Sequence, residues 1–235
     1  DNSQHYDPMN ETQHRRIRSF VRRPGRTTAA QRRAIERLWP RYGLPDDDRL
    51  LELPAVFGRN APIVLEIGFG DGEALFSSAV RRPDIDHLGI EIHEPGIGHL
   101  LLLLERADLS NVRLIARDAV DVLEHQLGPS CVDAVRIFFP DPWPKKRHHK
   151  RRLIQPAFIA QLAQVLRPGG FLHVATDWEH YAEQIREVMA GAAELRELAA
   201  DQACAEPLAE RPPTKFERRG RGLGHDVWDF VYRRT

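Results

Sequence analysis

A carboxylate and an indole are set among three prolines in Pro140-Asp141-Pro142-Trp143-Pro144, and eight consecutive cationic or imidazole side chains follow. Proline fixes its own φ and biases the residue before it away from helix, so Asp141 and Trp143 are predicted to project from a stiff loop. A rigid acid beside an aromatic suits one edge of a nucleic-acid base. The run Lys145, Lys146, Arg147, His148, His149, Lys150, Arg151 and Arg152 suits phosphates. The plainer alternative is a proline turn followed by the solvated first turn of a helix. A basic run alone favours that alternative; the acid and the tryptophan reverse the preference. Trp143 itself is evenly balanced between stacking on a base and bracing the loop.

A second constellation lies upstream. Glu66-Ile67-Gly68-Phe69-Gly70-Asp71-Gly72 carries three alternating glycines, with Glu73 where a dinucleotide fingerprint would carry its third glycine. In dinucleotide sites such glycines let the backbone approach a pyrophosphate at a helix N-terminus. Here Glu66, Asp71 and Glu73 would repel a pyrophosphate, but they suit a cationic cofactor such as S-adenosylmethionine. Glu91, about 20 residues beyond the glycines, is placed to accept both ribose hydroxyls, and Asp118 to accept the amine of an adenine. Any one of these acids alone reads as a helix cap; together they read as a cofactor site.

These residues need a sheet to position them. The apolar runs 63–67, 87–92, 112–116, 132–139 and 171–177 alternate with helical segments near 73–80, 93–106, 119–126, 153–166 and 178–189, which predicts an α/β, doubly wound, mostly parallel sheet. Arg167-Pro168-Gly169-Gly170 reads as the terminator of the fourth of these helices. Residues 226–232 read as a last strand. Residues 28–39 are predicted to form a short helix capped by Thr28, with Pro40, Gly43 and Pro45 breaking the chain after it.

The chain of 235 residues is 42% hydrophobic and 29% charged, ordinary for one globular domain with extensions. Lys+Arg and Asp+Glu both total 34, so net charge does not point to nucleic acid; the segregation of arginine into 15–37 and 145–152 does. The expected division is a basic arm and lead-in over 1–59 and a catalytic domain over 60–235. Cys131 and Cys204 form no framework, which fits a reducing cytoplasm. The leucine run 100–104 is too short to span a membrane, and no signal-peptide pattern is visible. An opening Asp rather than Met leaves room for an upstream segment. His148 and His149 have no cysteine or carboxylate at ligand spacing, and His87, His93 and His99 would not share a helix face, so no metal is expected.

The sequence resembles the bacterial tRNA (guanine-N7)-methyltransferase family over about 60–234. The resemblance rests on the Glu66-Ile67-Gly68-Phe69-Gly70 turn, on Pro140-Asp141-Pro142-Trp143 with its basic run, and on Thr214-Lys215-Phe216-Glu217 with Arg219-Gly220. It implies a Rossmann-like class I methyltransferase fold, S-adenosylmethionine as donor with S-adenosylhomocysteine as product, and guanine-46 of the tRNA variable loop as acceptor. By position it implies cofactor contacts at Glu66, Gly68, Gly70, Glu91, Asp118 and Asp141, with Asp141 also catalytic. Lys145, Asp177, Thr214, Lys215, Phe216 and Glu217 fall on the substrate side, and 147–152 on the RNA-contacting run. Pro144 departs from relatives, which often carry a polar residue such as histidine there, and stiffens the loop further. Nothing carries over to the N-terminal arm, and a monomer or a homodimer is equally compatible.

Guanine N7 carries an in-plane lone pair and no proton, so its methylation calls for alignment rather than a strong base. Asp141, with Asp177 as a second candidate, is expected to accept from guanine N1–H and N2–H₂. Three rivals remain open on the sequence: a methyltransferase with a protein or small-molecule substrate, a nicotinamide-dependent dehydrogenase, and a non-catalytic RNA binder. The basic run and the Thr-Lys-Phe-Glu segment disfavour the first, and the acids around the turn disfavour the second. No missing acid points to the third.

Overall fold

Residues Ile63–Ile67 form β1, buried along its whole length as the centre of a parallel sheet requires. The computed structural model describes residues 27–204, 208 and 226–235. The arm 1–26 and the segment holding Thr214, Lys215, Phe216 and Glu217 lie outside the described residues.

Before β1 come α1 (Ala29–Tyr42) and α2 (Leu53–Phe57). After it, α3 (Glu73–Arg81), β2 (Asp86–Ile90), α4 (Glu94–Ala107), β3 (Val112–Ile115), α5 (Ala119–His125) and β4 (Val132–Phe138) alternate. A 3-10 turn, Lys146–Arg151, leads to α6 (Pro156–Val165), β5 (Leu166–Thr176), α7 (Glu179–Ala190), β6 (Leu195–Glu197), α8 (Ala200–Cys204) and β7 (Trp228–Arg234). The seven strands are ordered β3-β2-β1-β4-β5-β7-β6. The five strands from β3 to β5 are parallel, and β7 runs antiparallel to both β5 and β6. Strand order reverses between β1 and β4, and an open α/β sheet binds its ligands outside the carboxyl ends of the strands at such a switch point.

One face of the sheet buries Leu65, Ile137 and Leu172 against Val122 of α5, Leu162 of α6 and Ile185 of α7. On the other face, Ala34 and Leu38 of α1, Leu75 of α3, and Leu100 and Leu104 of α4 form a second cluster. Leu53 of α2 packs in the first of these clusters, and Ala34, Leu38 and Tyr42 of α1 in the second.

Thr28 closes a full capping box with Gln31, as its position before the helix predicts. The helix nonetheless runs through Pro40 to Tyr42, because a proline in the last turn forfeits little and Tyr42 is anchored by donating its hydroxyl to Leu109 O at 2.9 Å. Two further expectations are corrected. The helix predicted from 153 starts at Pro156, since Gln155 before the proline is held extended at φ −132°. Arg167-Pro168-Gly169-Gly170 does follow the end of α6 at Val165, but the strand predicted from 171 begins earlier: the chain enters β5 directly at Leu166. The Pro-Gly-Gly run is absorbed where the register shifts between the Val132↔Leu166 and Ala134↔Phe171 pairs.

Candidate active site

The carboxyl edge of the sheet gathers the acids. Glu66, at the end of β1, is 4% exposed. The turn after it holds Gly68 at φ 73° and Gly70 at φ 59°, conformations that L side chains rarely adopt. A Cβ on either glycine would meet nothing within 4 Å, so the turn faces open space. Glu91 follows β2 and fixes the turn: Gly70 N–H donates to its Oε2 at 2.9 Å, while Ile92 N–H and His93 N–H donate to Oε1 at 2.7 and 3.0 Å. A carboxylate offers about four acceptor positions, so Glu91 braces the turn and keeps capacity for a ligand hydroxyl. Asp118 follows β3 and caps α5, accepting from Val120 N–H at 3.0 Å.

Backbone contacts hold the turn from outside. His99 of α4 lies with Nδ1 2.7 Å from Asp71 O. Gly96 sits so near that a Cβ there would fall 1.9 Å from Gly70 O. Burial pushes the Glu66 carboxyl up to about 7; the charge of Arg136 on β4 opposes this and that of Asp71 reinforces it.

Asp141 lies in the loop after β4, half-buried. Phe139 and Trp143, each before a proline, adopt φ 52° and 44°. Strain of this kind costs about 1–3 kcal/mol per residue and persists where surrounding contacts impose it. Phe139 N–H is tied to Ala175 O of β5 at 2.8 Å. The Trp143 ring has the Arg151 guanidinium at 4.5 Å and the edge of His148 at 5.8 Å. Trp143 therefore braces the loop against the basic turn. Asp177 follows β5 on the same sheet edge, half-buried.

The basic run divides by exposure. Lys145, Lys146, Arg147 and Lys150 are exposed, and His148, His149 and Arg151 are half-buried. Burial first, then the neighbouring Arg147, Arg151 and Lys145, keeps His148 below the ordinary imidazole range. Arg152 corrects the sequence expectation: it is 1% exposed and faces inward. Its Nε donates to Pro142 O at 2.8 Å, its Nη1 to Gln184 Oε1 at 2.6 Å, and its guanidinium lies 4.7 Å from the centroid of the Tyr181 ring. Those contacts leave it bracing the Asp141 loop from beneath rather than meeting RNA.

The acidic donor set and the open glycine turn fit a methyl donor that carries ammonium and sulfonium charges. Among the described residues, no group of three His, Cys, Asp or Glu side chains converges as a metal set. Sequence reasoning missed Arg136 with Ser78, and the His173–Asp229 pair, on the sheet face that Glu66 shares. The available signal was an arginine in the middle of β4, flanked by apolar Val135 and Ile137.

Similar proteins agree with this geometry. A family model described as "Putative methyltransferase" matches residues 60–230. Solved structures of the 16S rRNA methyltransferase KamB (TM-score 0.54, 18% identity, 78% of this chain and 93% of that one) and of the aminoglycoside resistance methyltransferase NpmB1 (TM-score 0.52, 14% identity, 80% and 95%) share the fold. Sheet order, glycine turn and these likenesses define a class I methyltransferase fold.

Three curated relatives are far more similar, each named tRNA (guanine-N(7)-)-methyltransferase. That of Burkholderia vietnamiensis is 56% identical over 97% of this chain and 89% of its own length. Those of Nitrosospira multiformis (55%, covering 94% and 96%) and Alkalilimnicola ehrlichii (52%, covering 94% and 93%) follow. The chain belongs to the tRNA (guanine-N7)-methyltransferase family.

Proposed function

We propose that this chain transfers a methyl group from S-adenosylmethionine to N7 of a guanine in tRNA, the variable-loop guanine-46, in the cytoplasm. The observation that carries this reading is the juxtaposition on one sheet edge of a glycine turn ringed by Glu66, Glu91 and Asp118 with a braced Asp141 loop and its exposed cations. Bound S-adenosylmethionine supplies an electrophilic methyl on a positive sulfur. Glu66, Glu91 and Asp118 hold it, Glu66 toward its positive end and Glu91 and Asp118 toward ribose and base. No helix among the described residues is long and apolar enough to cross a membrane.

Asp141 does the positioning at the acceptor. Guanine presents two donors, N1–H and N2–H₂, on one edge, so a carboxylate there selects guanine over the other bases. The same negative charge stabilises the positive charge that spreads over the ring as N7 is alkylated. Because N7 bears no proton, no side chain has to remove one before the bond forms. Lys145, Asp177 and the segment 214–217 complete the substrate side in this reading, while Lys146, Arg147 and Lys150 take phosphates.

Asp141→Asn tests the assignment by separating turnover from binding. The expected result is a fall in kcat of about a hundredfold or more with S-adenosylmethionine affinity changed by less than about threefold. An unchanged kcat would remove Asp141 from the catalytic centre.

A further inference from the structure

Helices α1 and α4 run side by side in the same direction. Near the start of both, Gln31 Nε2 donates to Pro95 O at 3.0 Å, and at the far end Arg37 and Arg41 of α1 pair with Glu105 and Asp108 of α4. Since α4 follows β2, both helices begin at the carboxyl edge of the sheet, beside the glycine turn on which Gly96 packs. The capping box of Thr28 and Gln31 fixes this end of α1.

Arg33, Arg37 and Arg41 recur every four residues, which sets them along one face of α1. The later two meet acids. One turn up α4 from Glu105 stand Leu101 and Leu102, so α4 brings no carboxylate to the level of Arg33. Arg32 is its neighbour, and both are exposed. Among the described residues neither guanidinium has an ion pair or a hydrogen bond. Glu94, the acid at this end, lies 3.5 Å from Thr27 Oγ1 instead. The first turn of α1 carries no acid either. Cations near a helix N-terminus are opposed by the macrodipole, which favours carboxylates there. The helix thus neutralises its far-end arginines and leaves two cations at its positive end. Such a break with local charge patterning is characteristic of functional positions, and it falls at the edge of the sheet where the site lies.

We propose that Arg32 and Arg33 form a second phosphate-binding surface for tRNA, on the opposite side of the cofactor turn from the basic turn. Strand order puts β2 and β3 on one side of β1, and β4 with its Asp141 loop on the other. Arg32 and Arg33 therefore flank the site on one side, and Lys145, Lys146, Arg147 and Lys150 on the other. Cationic flanks hold the phosphates of a polyanion that crosses the site, while the acids between them repel phosphate and leave room for a base. This rests on tRNA as the substrate.

The test is filter binding of radiolabelled, unmodified tRNA by the full chain from about 0.05 to about 0.3 M potassium chloride. Arg32→Ala/Arg33→Ala is expected to lower the slope of log affinity against log salt by about two, with affinity about tenfold down at about 0.1 M salt. Arg32→Lys/Arg33→Lys should restore most of the slope, because a phosphate takes either cation. Arg37→Ala/Arg41→Ala removes as much charge from the same helix and should change the slope by less than about half a unit. Affinity for S-adenosylmethionine should stay within about twofold in every variant, since phosphate contacts do not touch the donor. The substituted side chains are exposed, so melting temperatures should stay near that of the unmodified chain. If the unmodified chain binds tRNA with a steep salt slope and Arg32→Ala/Arg33→Ala keeps that slope, the proposal is overturned and the substrate stands. An equal loss in Arg37→Ala/Arg41→Ala would overturn it as well, by showing an effect of net charge alone. A tRNA affinity that ignored salt in the unmodified chain would remove the phosphate reading of the basic turn and this proposal together.

Discussion

A buried carboxyl held near neutrality makes Glu66 a source of pH-dependent stability. Its folded value of about 7 lies above the ordinary 4.5, so the native state binds the extra proton between those limits. The stability it contributes is fully present below about 4.5 and is lost as pH rises through about 7, a swing of about 3 kcal/mol. Chemical denaturation of Glu66→Gln against pH should show most of that slope removed; a slope identical to that of the unmodified chain would contradict the burial argument. The basic run makes a second residue-level contrast. Arg152→Met strips partners from Pro142 O and Gln184 and should cost about 2–4 kcal/mol of stability. Arg147→Ala, on an exposed side chain, should leave stability within about 0.5 kcal/mol. It should instead reduce the slope of log tRNA affinity against log salt by about one. Equal behaviour of the two arginines would contradict their different placement.

At the scale of elements, the site depends on α4 lying against the glycine turn. A methyl at Gly96 would meet the Gly70 carbonyl, and backbone cannot yield as a side-chain tip does. Gly96→Ala is therefore expected to cost about 1–3 kcal/mol and to weaken S-adenosylmethionine-induced thermal stabilisation. A full ligand-induced shift would mean that α4 moves away without disturbing the turn. The strand–turn–helix order was legible from apolar runs of five to eight residues and from glycine punctuation, because a parallel strand buried on both faces reads as a continuous run. Pro168-Gly169-Gly170 marks the end of α6 as read but hides the early start of β5, because its punctuation lies at a register shift inside that strand. Arg152 misleads because it closes a run of cationic and imidazole side chains that are otherwise exposed or half-buried, and the run alone does not say that the residue after the 3-10 turn folds inward. Arg136 escaped notice because its significance comes from strand register, β1 against β4, which a single sequence does not contain.

The whole molecule is neutral in sum, with 34 cationic Lys and Arg against 34 acids. Its chemistry depends on where those charges fall. Acids ring the switch point between β1 and β4, a setting that suits a cationic donor, and exposed cations follow the Asp141 loop, a setting that suits a polyanion. A sheet is well suited to this because separate strands deliver Glu66, Glu91, Asp118, Asp141 and Asp177 to one edge while the helices keep the rest apolar. Membership of the tRNA (guanine-N7)-methyltransferase family agrees with that distribution. The most direct test of the account is radiolabelled methyl transfer from S-adenosylmethionine to unmodified tRNA, followed by borohydride–aniline cleavage to map the product. The unmodified chain should be run beside Asp141→Ala. The account predicts cleavage at the variable-loop guanine, lost in the variant. Methyl incorporation without cleavage there, or a variant that methylates as well as the unmodified chain, would contradict it.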